Sequence, residues 1–182
     1  MDFWLVFWLG VIVFLLCLIG IFVWLIWPIA IGSMYVPTEV NVARRMLELA
    51  DIVEEDIVYD LGSGHGRIII MAAQAFGANA VGIEADPIRI RLSRRAIQRQ
   101  GLSQKVKLIQ GNFFNQSLEA ATVITVFQSQ RVNQKLKSKF IEELQPGTRI
   151  VSNRYTFDGW MPIKIDNDLK VYLYRVGESE HK

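Results

Sequence analysis

The residues with the clearest chemical potential lie in one stretch. Asp60 ends a short apolar run, and Gly62, Gly64 and Gly66 follow it at alternate positions before the helical run Ile68 to Phe76. Glycines at that spacing let the backbone turn tightly and approach a ligand, with the amides of a helix N-terminus facing it. A second apolar run closes on Glu84, 22 residues after Gly62. A carboxylate in that place can accept hydrogen bonds from both hydroxyls of a ribose. A dinucleotide loop requires glycine at its first, third and sixth positions, but the sixth here is Arg67 and the third glycine comes one place early. No His, Cys, Asp or Glu cluster has metal-ligand spacing, so no metal is expected.

These residues need a scaffold, and the chain after Asp56 alternates strand with helix. The pattern predicts strands at 57–60, 80–84, 106–110, 122–127 and 148–153. Helices are predicted at 67–76, from Asp86-Pro87 to Gln100, and over 132–144, the last with Val132, Leu136, Phe140 and Leu144 on one face. Such alternation implies an α/β, Rossmann-like, doubly wound and mostly parallel sheet, with ligands at the C-terminal ends of its strands. Met161 to Ile165 and Lys170 to Tyr174 read as an antiparallel C-terminal hairpin closing the sheet edge. Upstream, Thr38 is the expected N-cap of a helix over 39–50 that packs through Val40, Ala43, Leu47 and Ala50.

The N-terminus has a different composition. Phe3 to Trp27 is a run of 25 residues without a charge, with Trp4 and Trp8 at one end and Trp24 and Trp27 at the other. This is long enough to cross a hydrocarbon core of about 30 Å, with aromatic residues at both interfaces. A cleaved signal peptide is the competing reading. There is no positively charged leader and no small-residue cleavage pattern, and the run is long, so one retained transmembrane helix is expected. The expected division is an anchor and link over 1–32 and the ligand-binding α/β domain over 33–182. All 20 Lys and Arg residues follow the span, with 17 acids, and the basic bias places the domain on the cytoplasmic or organelle-matrix side. A margin of three positive charges is too small to indicate a nucleic-acid partner. Cys17 is the only cysteine, so no disulfide forms within the chain. Basic residues crowd two helices, at Arg89, Arg91, Arg94, Arg95 and Arg99 and at Arg131, Lys135, Lys137 and Lys139. Most such runs are solvated faces, although beside a membrane they also attract anionic lipid.

The G-x-G-x-G spacing after Asp60 resembles the seven-stranded S-adenosylmethionine-dependent methyltransferases. Three pieces narrow the resemblance: Tyr35-Val36-Pro37-Thr38, Asp60 to Arg67, and Val151-Ser152-Asn153-Arg154-Tyr155 followed by Gly159-Trp160. Together they resemble membrane-associated protein-lysine N-methyltransferases, a group that includes the methyltransferase of the ATP synthase c subunit and archaeal lysine methyltransferases. The resemblance implies S-adenosylmethionine as cofactor, held by Asp60, Gly62, Ser63, Gly64, Gly66 and Glu84. It also places Asn112 at the adenine, with Phe113 beside it. The family more often has Asp in place of Asn112. His65 replaces a usual Asp, and Gln128 a usual aliphatic residue.

For a lysine acceptor, the ammonium must lose a proton, and a desolvated pocket favours that loss. Phe127, Gln128, Asn153 and Tyr155 are the expected lining, with Tyr35 and Trp160 as walls. None of them stands out as the base. Enzymes that methylate exocyclic base nitrogens carry (Asn/Asp)-Pro-Pro-(Tyr/Phe) after the fourth strand. Phe127-Gln128-Ser129-Gln130 does not match it, and no nucleic-acid partner is expected. The expected substrate is a lysine of a membrane or membrane-proximal protein. The alternatives are a small molecule or lipid as methyl acceptor, or a non-catalytic protein that binds the nucleoside cofactor at the membrane.

Overall fold

The computed structural model describes residues 3–30 and 37–180, with side chains at 4–23 and 37–180. Tyr35, one of the expected pocket walls, lies outside the described residues. The chain divides into two compact units, Met1–Val36 and Pro37–Lys182.

The described residues of the first unit form one helix, α1 (Phe3–Ala30). Its Trp4–Val23 segment has a mean hydropathy of 3.0 and buries none of its residues, so it is long and apolar enough to cross a membrane. A helix apolar on every side has no water-facing stripe, and it needs a protein core or a hydrocarbon layer around it.

In the second unit, α2 (Val40–Leu49) leads to β1 (Ile57–Leu61), α3 (Arg67–Phe76), β2 (Asn79–Glu84), α4 (Pro87–Arg99) and β3 (Val106–Gln110). A short 3-10 turn, Phe113–Asn115, replaces a helix before β4 (Val123–Val126). Then come α5 (Gln130–Glu143), β5 (Arg149–Asn153), β6 (Lys164–Asp166) and β7 (Val171–Arg175). The sheet order is β3-β2-β1-β4-β5-β7-β6. The first five strands run parallel, and β7 is antiparallel to both β5 and β6. The order reverses between β1 and β4, which opens a crevice beyond their C-terminal ends.

Each face of the sheet carries its own apolar core. Val58, Ala80, Val123 and Val151 pack on one side with α2 and α3. Leu61, Ile83, Ile124 and Ile150 pack on the other with α5. This alternation along parallel strands explains why the sequence shows continuous apolar runs rather than an in-out pattern. On α5, Val132, Leu136, Phe140 and Leu144 are all buried as the four-residue repeat predicts.

The cap of α2 and one residue of its inward face differ from expectation. Its N-cap is Glu39, without a side-chain cap bond. Thr38 instead offers its backbone carbonyl to the Arg67 guanidinium. The inward face holds Ala43, Leu47 and Ala50 as expected, joined by Val42 and Met46, whereas Val40 is 57% exposed. The C-terminal hairpin forms, but β6 is shorter than read, and β7 is the strand that joins it to β5.

Candidate active site

The chain leaves β1 at Leu61 and turns at once. The amides of Gly62 and Ser63 both donate to the carbonyl of Ile83, at 2.9 and 3.0 Å, which folds the loop over the end of β2. Gly62, Gly64 and Gly66 have φ of 87°, 55° and 79°, a region L side chains rarely adopt. Space adds a second constraint at two of them. A Cβ on Gly62 would collide with the Gln128 amide nitrogen, and one on Gly66 would lie 2.6 Å from the Ser93 hydroxyl. Gly66 is also the left-handed N-cap from which α3 starts.

Glu84 sits under this loop, buried at the C-terminal end of β2. One carboxylate oxygen accepts from the Gly64 amide at 2.8 Å, and the other from the Asp86 amide at 2.9 Å. The Arg89 guanidinium lies 3.7 Å from the latter oxygen. Asp86 caps α4, accepting from the amides of Ile88 at 2.7 Å and Arg89 at 3.3 Å. Glu84 thus joins the glycine loop to the start of α4, and each of its oxygens retains acceptor capacity. On the next strand, the Gly111 amide donates to the Glu84 carbonyl at 2.9 Å, which brings Asn112 and Phe113 alongside. Asn112 is exposed and accepts from the Phe114 amide at 3.0 Å. The Phe113 and Phe114 rings meet tilted at 44°, with centroids 4.8 Å apart.

Asp60 points into the sheet face beneath the loop. It is 5% exposed, and the Thr125 hydroxyl donates to it at 2.8 Å across the β1–β4 register. Burial pushes its carboxyl up to about 7, the charge of Glu84 adds to that, and the Thr125 hydrogen bond opposes both. Ser63 is buried with its hydroxyl turned toward Gly82, and that oxygen has no hydrogen-bond partner among the described residues.

At the ends of β4 and β5 the expected lining residues divide. Phe127 and Tyr155 are half-buried, and the Arg154 guanidinium stands 5.7 Å from the Phe127 ring centroid, linking the two loops. Asn153 is buried at the end of β5. Gln128 turns the other way: it is buried and donates to the Leu61 carbonyl at 2.9 Å, bracing the glycine loop. Trp160 is not a wall. It is 7% exposed within an aromatic cluster with Phe157 and Tyr174, centroids 5.3 and 6.1 Å away, so it packs the core. His65 is exposed in the loop. No group of three or more metal-ligating side chains occurs among the described residues.

Sequence reasoning missed the supports. Thr125 hides inside an apolar strand, where its only signal is a hydroxyl in an otherwise aliphatic run. Asn133 of α5, wholly buried, donates to the Ser152 hydroxyl at 3.1 Å and the Tyr155 carbonyl at 3.2 Å. Gln134 donates to the Thr156 carbonyl at 3.3 Å, so α5 fixes the loop that follows β5.

The ANTKMT methyltransferase domain model matches residues 60–164, from Asp60 to Lys164. The chain belongs to that family. A protein-lysine N-methyltransferase of Saccharolobus islandicus is 46% identical over 153 residues, covering 80% of this chain and 95% of the relative. An adenine nucleotide translocase lysine N-methyltransferase of Mus musculus is 30% identical over 172 residues, covering 88% of this chain and 75% of the relative. The crystal structure of an RNA methyltransferase from Salinibacter ruber, in complex with S-adenosyl-L-homocysteine, superposes with a TM-score of 0.77. It is 41% identical and covers 81% of this chain and 97% of that one.

This ANTKMT-family chain is an S-adenosylmethionine-dependent methyltransferase with the seven-stranded Rossmann-like sheet expected from its sequence. The match to family and cofactor agrees with the resemblance stated from the sequence. The family model starts at Asp60, the first of the clustered polar residues.

Proposed function

We propose that this chain is a protein-lysine N-methyltransferase that α1 holds at a membrane and that acts on a membrane or membrane-proximal protein. The observation that carries the reading is the 46% identity to a protein-lysine N-methyltransferase over 95% of that relative's length. The alignment to the adenine nucleotide translocase lysine N-methyltransferase supports the membrane part, because its 88% share of this chain exceeds what Pro37–Lys182 alone supplies.

The residues present fit the cofactor. Three left-handed glycines leave a side-chain-free cradle, Glu84 has acceptor capacity for a ribose diol, and the Asn112 amide with Phe113 stands two strands from β1, where an adenine edge would lie. In this reading Gly62, Ser63, Gly64 and Gly66 present backbone to the cofactor. Asp60 supports the loop from below, since its side chain is turned to Thr125. When bound, S-adenosylmethionine supplies a methyl group already activated by its sulfonium. The protein then has to hold a neutral amine in line and exclude water. Phe127 and Tyr155 give an aromatic wall at the crevice mouth, with Arg154 against Phe127. A wall that excludes water disfavours the ammonium form of an entering lysine and eases loss of its proton.

The likeness to the Salinibacter RNA methyltransferase supports a second reading, methylation of RNA. One experiment separates the two. Membranes bearing the full chain are incubated with radiolabelled S-adenosylmethionine, and the product is digested with protease or ribonuclease. Label that protease releases, that acid hydrolysis yields as methyl-lysine, and that is lost in Glu84→Ala and Gly64→Arg supports the proposal. Label released by ribonuclease supports the RNA reading. Extraction of the membranes with alkaline carbonate tests α1: a chain that leaves with the soluble fraction is not anchored by it.

A further inference from the structure

We propose that the outer face of α4, together with the adjoining edge strand β3, docks on the headgroup layer of an anionic lipid bilayer. From Pro87 to Leu118 the chain carries seven basic residues and no acid. Five of the seven are on α4, and Arg91, Arg94, Arg95 and Arg99 are exposed, with no carboxylate partner among the described residues. Lys107 is exposed on β3, which is the edge of the sheet. A solvated helix face that serves only solubility mixes both signs, because interspersed charges avoid a large single-sign field. This face is of one sign throughout.

The spacing on α4 indicates which polyanion it suits. Ile90, Ser93 and Ile97 are buried, and the opposite stripe runs Ile88, Leu92, Arg95, Arg99 at helical intervals, with Arg91 on its flank. Ile88 and Leu92 are 48% and 45% exposed. Two aliphatic side chains set among arginines on one outward stripe form the pattern of an interfacial helix, in which apolar groups enter the acyl boundary and basic ones reach the phosphates. A nucleic-acid surface would use the arginines and leave the two aliphatics in water. Beside the stripe, a groove of about 180 Å³ between α4 and β3 is lined by Arg94, Ile97, Gln98, Ser103, Val106 and Leu108. It has a cation, two further polar groups and an apolar floor, which suit the glycerophosphate part of a lipid. On the membrane reading of α1 the chain is already at a bilayer, and α4 would add a second attachment to it. The inference rests on the membrane reading of α1 in that respect alone.

The test uses the full chain with Cys17→Ala, reconstituted in vesicles of phosphatidylcholine with or without phosphatidylglycerol. An environment-sensitive fluorophore is attached at Leu92→Cys or, as a control on the other sheet face, at Ile141→Cys. The expected result is a blue shift and quenching by lipid-borne quenchers at position 92 in the anionic vesicles alone, with no change at position 141. Replacing Arg91, Arg95 and Arg99 with Gln should lower the docked-to-free ratio about a hundredfold, since each basic residue near such a surface is worth about fivefold. S-adenosylmethionine binding should be unchanged in that variant. Equal signals in the two vesicle types, or no loss in the triple variant, overturns the proposal. A fluorescent RNA bound through the same three arginines, with position 92 indifferent to phosphatidylglycerol, overturns it in favour of nucleic acid. If the chain fails to float with neutral vesicles but position 92 still responds to anionic ones, the anchor reading falls and the docking surface stands.

Discussion

Asp60 is held in a setting that opposes its ionisation, and replacing it with Asn tests that claim. The carboxyl is buried, raised from 3.8 to about 7 by burial first and by the charge of Glu84, with Thr125 donating the hydrogen bond that opposes them. Between about pH 4 and pH 7 the folded chain therefore keeps a proton that the unfolded chain has released. Stability attributable to this group falls as pH rises through that window, and the penalty is complete above it. At about 1.4 kcal/mol per unit, the shift corresponds to at most about 4 kcal/mol, of which about 3 should appear between pH 5 and pH 8. Asn keeps an oxygen for the Thr125 hydroxyl and cannot ionise. The assay is urea unfolding of the full chain in neutral detergent, without cofactor, at several pH values. The stability of wild type minus that of Asp60→Asn should decline by about 3 kcal/mol across the range, because titrating groups that do not interact with Asp60 cancel in the difference. The midpoint of the decline should move down in a Glu84→Gln background and up in Thr125→Val. A difference that stays flat, or rises, with pH would refute the reasoning.

Three more outcomes follow from the packing. Gly82→Ala would put a Cβ 2.6 Å from the Ile69 methyl and 2.7 Å from the Ser63 hydroxyl, so a loss of about 1–3 kcal/mol is expected in urea melts, together with weaker cofactor binding. Gly62→Ala meets both a φ of 87° and the Gln128 amide; calorimetry should show weaker S-adenosylmethionine binding, and adding Gln128→Ala should recover only the part due to the collision. Asp56 is buried and accepts from the Val53 amide at 2.9 Å, the Thr122 hydroxyl at 2.7 Å and the Arg149 guanidinium. Asp56→Ala leaves that guanidinium without its carboxylate, and a loss of about 3–5 kcal/mol is expected by denaturant unfolding.

The element types were legible because the parallel sheet demands them. Strands buried on both faces appear as short apolar runs, and Pro87 after Asp86, or Gly77 after Phe76, marks helix ends by local chemistry alone. Features governed by long-range contact were not legible. Val40 and Val42 are both plausible inward residues of α2, and only the position of the sheet beneath it selects Val42. Trp160 reads as a pocket wall from its place shortly after Asn153-Arg154-Tyr155. It is a core residue because the return of β7 brings Tyr174 against it. Gln128 looks like lining because it follows β4, yet its amide is used on the strand beside it.

The glycine loop shows why its spacing, read with Glu84, Asn112 and the family resemblance, pointed to the ligand class but not to the residues that shape the site. The three glycines share one backbone requirement, and that requirement is what a motif records. Their spatial requirements differ and come from distant parts of the chain. Gly62 is confined by Gln128 from the end of β4, and Gly66 by Ser93 from α4, while the Gly64 amide is held by Glu84 from the end of β2. The loop is thus positioned by three elements that are remote in sequence. Substitution at Gln128 or Ser93 should therefore alter cofactor binding even if neither side chain touches the cofactor. The loop's shape is set at the junction of β1, β2 and β4, the same place where the reversal of strand order opens the crevice.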